Sequence, residues 1–162
     1  MKSISRLLII AAALLTAIPA LAADGAKDKL LALFSDRHYV ADEQAIKNTG
    51  PDAAEALKQI AADPEVIIFK RVRAIDALGY FTDGKTTEYL KSAAVSTAED
   101  QPSLRWGAIQ ALGRSQGDGA TDFIAKTLKG SDQLTKQVSI NTLRKIGSEK
   151  AARALREAGV EK

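Results

Sequence analysis

The sequence predicts an all-α protein, a short right-handed α-solenoid of about four stacked antiparallel helix pairs closed by a C-terminal capping helix. Three observations lead there. The 162 residues are 46% hydrophobic but only 5% aromatic, which suits one folded domain with a core of small aliphatic side chains. No apolar segment alternates with period two, and the apolar spacing follows three and four instead. A motif also recurs: "RVRAIDALG" ends at Gly79 and "RWGAIQALG" at Gly113, sharing A-I-x-A-L-G at a displacement of 34, and "SINTLRKIG" ends a further 34 on at Gly147.

The elements follow in order. "MKSISRLLIIAAALLTAIPALAA" places Lys2 and Arg6 before an apolar run from Leu7 to Ile18, then Pro19 and the small-residue site Ala20-Leu21-Ala22. These are the three regions of a secretory signal, and residues 1–22 are expected to be cleaved. The run is shorter than the roughly 20 apolar residues that span a bilayer. Residues 23–50 read as a degenerate helical pair, with one helix over Lys27 to Ser35 and another ending before Gly50.

Three repeats are expected over 51–147, as 51–79, 84–113 and 118–147. Their first helices run from about Asp52 to Ala62, Thr86 to Ala98 and Ala120 to Lys129. Second helices run from about Glu65, Pro102 and Gln133 to the three glycines. In this register Ile75, Ile109 and Leu143 correspond, as do Leu78, Leu112 and Ile146, and Tyr89-Leu90 matches Phe123-Ile124. Gly79, Gly113 and Gly147 stand where a left-handed residue closes a helix, with turns at "TDG" and "SQGDG". Residues 148–162 form the cap: Ser148 is an N-cap, and Ala151, Ala154, Leu155 and Ala158 make an apolar edge.

Charge and composition exclude several functions. Without Lys2 and Arg6, 21 basic residues face 20 acidic ones, so a nucleic-acid partner lacks its electrostatic argument. There is no cysteine, hence no disulfide, thiol nucleophile or acylated cysteine at the signal junction. A periplasmic or secreted location follows, with no stable membrane insertion after cleavage. The lone histidine, His38 in "SDRHYV", lacks companions at metal-ligand spacing. "GDG" at Gly117 to Gly119 lacks the strand and lysine of a phosphate loop, and neither G-x-S-x-G nor H-E-x-x-H occurs. No catalytic residue, metal or cofactor is expected, and the chain reads as a non-enzyme.

The second-helix motif resembles the short HEAT-like repeats of the phycobilisome-lyase type, whose units end in V-R-x-x-A-x-x-A-L-G. "LRWGAIQALG" matches with Leu104 in the Val slot, then Arg105, Ala108, Ala111, Leu112 and Gly113. "KRVRAIDALG" keeps Arg71, Ala74, Ala77, Leu78 and Gly79, whereas "VSINTLRKIG" keeps Val138 and Gly147 but has Ser139 for the arginine. Tetratricopeptide repeats share the period but place their W-x-x-L-G near the start of the first helix. The resemblance is informative about fold and nearly silent about function. It implies that an arginine in this slot forms a ladder between neighbouring repeats.

A helical wheel gives that implication a geometry. From position 71, Ala74, Ile75 and Leu78 fall within about 60 degrees, and Ile67 and Ile68 join the same buried stripe. Arg71 and Arg105 therefore lie at its centre, where a guanidinium needs partners. The acidic residues at turns into second helices, Asp63, Asp100 and Asp132, are the expected ones, and Ser139 predicts that the ladder stops at the third repeat. Opposite lie Phe69, Arg73 and Asp76, repeated as Ser103, Gly107, Gln110 and as Gln137, Asn141, Arg144. These rows form the floor of a concave face. Trp106, with Val72 and Ile140 as counterparts, belongs to the border of the stripe.

The functional expectation is a non-catalytic interaction or scaffold module of the bacterial cell envelope. A protein or peptide would be held on the concave face by Phe69, Arg73, Asp76, Trp106, Gln110, Asn141 and Arg144. The alternative implied by the resemblance is an enzyme or small-ligand carrier of chromophore type.

Overall fold

The computed structural model describes residues 18–96, 101–129 and 132–160, with side chains from residue 25 onward. The expected signal segment before residue 18 and Asp100 lie outside the described residues. The described chain is helical throughout: α1 (Ile18–Leu33), α2 (Glu43–Lys47), α3 (Ala53–Ala62), α4 (Ile68–Leu78), α5 (Gly84–Ala94), α6 (Pro102–Gln116), α7 (Thr121–Thr127), α8 (Gln133–Ile146) and α9 (Glu149–Glu157), with one 3₁₀ turn at Gly117–Ala120. Helix α3 packs on α4, α5 on α6 and α7 on α8, while the second helices α4, α6 and α8 lie side by side. Helix α1 covers α3 at one end, and α9 covers α7 and α8 at the other. This is a solenoid of stacked helix pairs. Among the described residues no helix is long and apolar enough to cross a membrane.

Local chemistry sets the helix starts. Asp83, Asp132 and Ser148 accept the backbone N–H three residues on, at 2.9, 2.9 and 3.1 Å, and so cap α5, α8 and α9. Pro102 occupies the first turn of α6, where its missing N–H costs nothing. Helix α4 starts at Ile68 rather than near Glu65, because Asp63 accepts the Glu65 N–H at 3.0 Å and turns the chain there. Ile67, the extended N-cap, and Ile68 are consequently 54% and 46% exposed, outside the buried stripe in which helical phase had placed them.

One core runs from Ala26 to Leu155. In the first two repeats its layers match at 34: Ala74, Ile75, Ala77 and Leu78 are buried, as are Ala108, Ile109, Ala111 and Leu112. In the third the burial pattern recurs 31 positions on, at Ser139, Ile140, Thr142 and Leu143, with Ile140 half-buried. Ser139 therefore occupies the slot of Ala108 rather than that of Arg105, and Lys136 stands where the arginine would be. The third second helix has slipped by about one turn against the sequence alignment.

The motif glycines also differ from expectation. Only Gly147 is left-handed, at φ +67°; Gly79 has φ −64°, and α6 runs through Gly113 to close at Gly117, φ +48°. Gly79 and Gly113 serve close approach instead. A Cβ on Gly79 would stand 3.1 Å from the Ala111 Cα, and one on Gly113 would overlap the Thr142 methyl. These contacts let the backbones of successive second helices approach.

Candidate partner-binding face

The row read as a concave floor is present on α4, α6 and α8, and much of it is internally engaged. The Arg73 guanidinium lies over the rings of Tyr39 and Phe69, 4.6 and 5.2 Å from their centroids, and donates to the carbonyls of Phe34 and Asp36. It thus ties the segment after α1 to α4. Asp76 accepts the Arg114 Nη2 at 2.7 Å, and its carbonyl accepts Nη1 at 2.8 Å. The same guanidinium stands 5.0 Å from the Tyr80 ring. Burial, with the charge of Asp76 next, pushes the Tyr39 hydroxyl up to about 12.

Trp106 is half-buried and donates its Nε1 to the Thr135 hydroxyl at 3.0 Å, so it joins α6 to α8. Asn141 accepts from Gln137 at 3.1 Å, one turn away on the same surface. Phe69 is 47% exposed, and Gln110 and Arg144 are exposed too. Gly107 faces its neighbour and not the floor: a Cβ there would meet Ile75 at 3.0 Å. Between α6 and α8 opens a cleft of about 390 Å³, walled by Gln110, Arg114, Thr142, Lys145 and Ile146, with Gly113 where the helices come closest.

The arginine slots behave differently from one another. Arg71 is 7% exposed and gives its Nε to the Ala61 carbonyl at 2.9 Å, at the C-terminal end of α3, where helix carbonyls attract a cation. Asp63, expected as its partner, instead holds Lys27 at 3.1 Å, which with the Glu65 N–H keeps its carboxyl below the usual carboxylate range. Arg105 reaches across to the next repeat, with Nη2 3.1 Å from Asp132 and Nη1 3.4 Å from the Ser96 carbonyl. Asp132 also accepts the Thr135 hydroxyl at 2.6 Å, and these donors depress its pKa.

Tyr39, Tyr80 and Arg114 were not anticipated as members of this face. Tyr80 and Arg114 lie one turn beyond Asp76 and Gln110 on the same row, so continuing the row past the motif glycines finds them. Tyr39 comes from a segment with no repeat pattern and carries no such signal. Its neighbour His38 is exposed, with its backbone N–H on the Asp36 carboxylate at 2.8 Å. Among the described residues no group of three or more His, Asp or Glu side chains could hold a metal.

Stacked helix pairs, with a ridge of second helices presenting a mixed charged and aromatic face, define a helical-repeat scaffold. The family can be given from sequence: a family model for HEAT repeats matches residues 54–144 and 97–161, and the chain belongs to that family. No curated protein and no solved structure matches it significantly.

Proposed function

We propose that this protein is a non-catalytic interaction module of the bacterial cell envelope, exported by the signal in residues 1–22, that holds a protein or peptide along the ridge of α4, α6 and α8. The observation that carries this reading is the cleft between α6 and α8 beside exposed Gln110, on a fold whose family builds extended binding surfaces from stacked pairs. Arg73, Asp76 and Trp106 shape the ridge from within, because their polar atoms are committed to neighbouring elements. Exposed Phe69, Gln110 and Lys145 are the side chains offered to a partner, with Asn141 and Arg144 further along the same row.

A photo-crosslinking residue at Gln110, expressed in intact cells, is expected to capture a discrete envelope protein. Adding Phe69→Ser and Lys145→Glu should abolish that adduct while the helical signal and melting midpoint stay unchanged. The same adduct at undiminished yield in the double variant would remove this ridge as the binding face.

A further inference from the structure

A second cavity, of about 260 Å³, lies away from that ridge, where the turns of the first and second repeats meet. Its walls are Ala61 from the end of α3, Ile75 from α4, Ala93 from α5 and Leu104 from α6, and both motif arginines line it. None of its described lining residues is acidic. Arg71 is buried, and its Nε alone is spent, on the Ala61 carbonyl. Arg105 gives both terminal nitrogens to Asp132 and Ser96, yet its Nε is buried with no hydrogen-bond partner. A buried donor on a cation without an acceptor is rare in folded proteins and calls for one.

The geometry points to a binding site for an aliphatic monocarboxylate in this cavity, with Arg71 and the Nε of Arg105 as its donors. Charge decides the valence. Among the described residues two guanidinium groups are set against the Asp132 carboxylate, and Asp63 beside Arg71 is already neutralised by Lys27; the one positive charge left matches a monoanion better than a phosphate. Shape decides the class, since a planar two-oxygen anion fits the guanidinium edge and the wall of Ala61, Ile75, Ala93 and Leu104 suits a short aliphatic group. The same chemistry is offered by a free short-chain acid and by the C-terminal carboxylate of a peptide. This site is independent of the ridge proposed above.

The test follows the side-chain Nε–H resonances of Arg71 and Arg105 by NMR on the isotope-labelled full chain, titrated with butyrate, with N-acetyl-alanyl-alanine, and with the amide of that dipeptide. Saturable movement of both resonances with the carboxylates and none with the amide is expected. A tighter response to the dipeptide identifies a chain terminus as the source, and a tighter response to butyrate a free acid. Arg105→Gln should weaken binding about tenfold. Arg71→Gln also removes the tie to α3, so Ala93→Met, which fills the cavity and keeps both arginines, carries the test if that variant does not fold. Absence of saturable movement, or equal movement in Ala93→Met, would overturn the site. So would binding that appears only in Glu99→Gln/Asp100→Asn, which would mean that the chain's own carboxylates hold these arginines.

Discussion

The two junctions between successive second helices are built from different chemistry on the same repeat. Where α4 meets α6, the buried side chains are Ala74, Ile75, Ala77, Leu78, Ala108 and Ile109, and the helices close on glycines: Gly79 against Ala111 and Gly107 against Ile75. Where α6 meets α8, the buried set includes Thr135, Ser139 and Thr142. Across it Trp106 donates to the Thr135 hydroxyl at 3.0 Å and Arg105 pairs with Asp132 at 3.1 Å, while Ser139 shares a hydrogen bond with Thr127 of α7 at 2.7 Å and donates to the Thr135 carbonyl of its own helix at 2.9 Å. Aliphatic contact is strong but tolerates sliding, whereas directional bonds fix one alignment. The polar junction is also the one whose register departs from the sequence repeat by about a turn.

The comparison is broken most directly by removing the equivalent isoleucine on each side. Ile75 is 2% exposed, so Ile75→Ala should cost about 2–5 kcal/mol in denaturant unfolding. Ile140 holds the matching slot in α8 but is only half-buried, and Ile140→Ala should cost less than about 2 kcal/mol. Equal losses would show that the two junctions contribute alike and that the hydroxyl-rich one is as well packed as the other.

A smaller effect separates the glycines. Gly113→Ala places a methyl on that of Thr142, whose hydroxyl is bonded to the Val138 carbonyl at 2.8 Å and resists rotation; the cost should be about 1–3 kcal/mol. Thr142→Ser deletes the opposing methyl and keeps the hydroxyl, so the double variant should regain most of the loss. Gly79→Ala meets the backbone of Ala111 and Asp76, where no side-chain substitution can make room. Thermal unfolding of the three variants decides whether close approach, rather than helix closure, is what these glycines provide.

These glycines also show how far the sequence could be read. The repeat and its first junction were legible because apolar residues recur there at 34, and burial at Ala74 to Leu78 repeats at Ala108 to Leu112. The slip in the third repeat was not, since the residues carrying its core pattern are Ser139 and Thr142, which an apolar periodicity does not count. A glycine looks the same whether it supplies a positive φ or a missing Cβ, so Gly147 was placed correctly and Gly79 and Gly113 were not. That Arg73, Asp76 and Gln110 share a row of the second helices was legible from helical phase, but the commitment of Arg73 to Phe34 and Asp36 depends on a segment outside the repeat.

Next in size comes the hydrogen bond from Trp106. Trp106→Phe keeps the ring packing and removes Nε1, while the Thr135 hydroxyl retains its bond to Asp132 at 2.6 Å. No buried group is orphaned, so the cost should be about 0.5–1.5 kcal/mol, read from the shift of the urea midpoint. A loss of several kcal/mol would mean that the indole's own shape, not its hydrogen bond, secures α6 to α8.

The smallest expected effect is a pH dependence that belongs to the polar junction alone. Asp132 is held below its ordinary pKa first by the Thr135 hydroxyl, then by the Thr135 N–H, with the Arg105 charge adding to them. A depressed folded-state pKa contributes stability that is present above the unfolded value and lost as pH falls through the folded one. The exposed setting of Asp132 makes that contribution small, so it is measured as a difference. Between neutral pH and the acid side of the carboxylate range, the wild type should lose more stability than Asp132→Asn, whose amide does not titrate there. Thr135→Val, which removes the hydroxyl donor, should bring the loss toward that of Asp132→Asn. An acid profile identical in wild type and Asp132→Asn would show that the junction rests on the Trp106–Thr135 bond and on packing, and not on the Arg105–Asp132 pair.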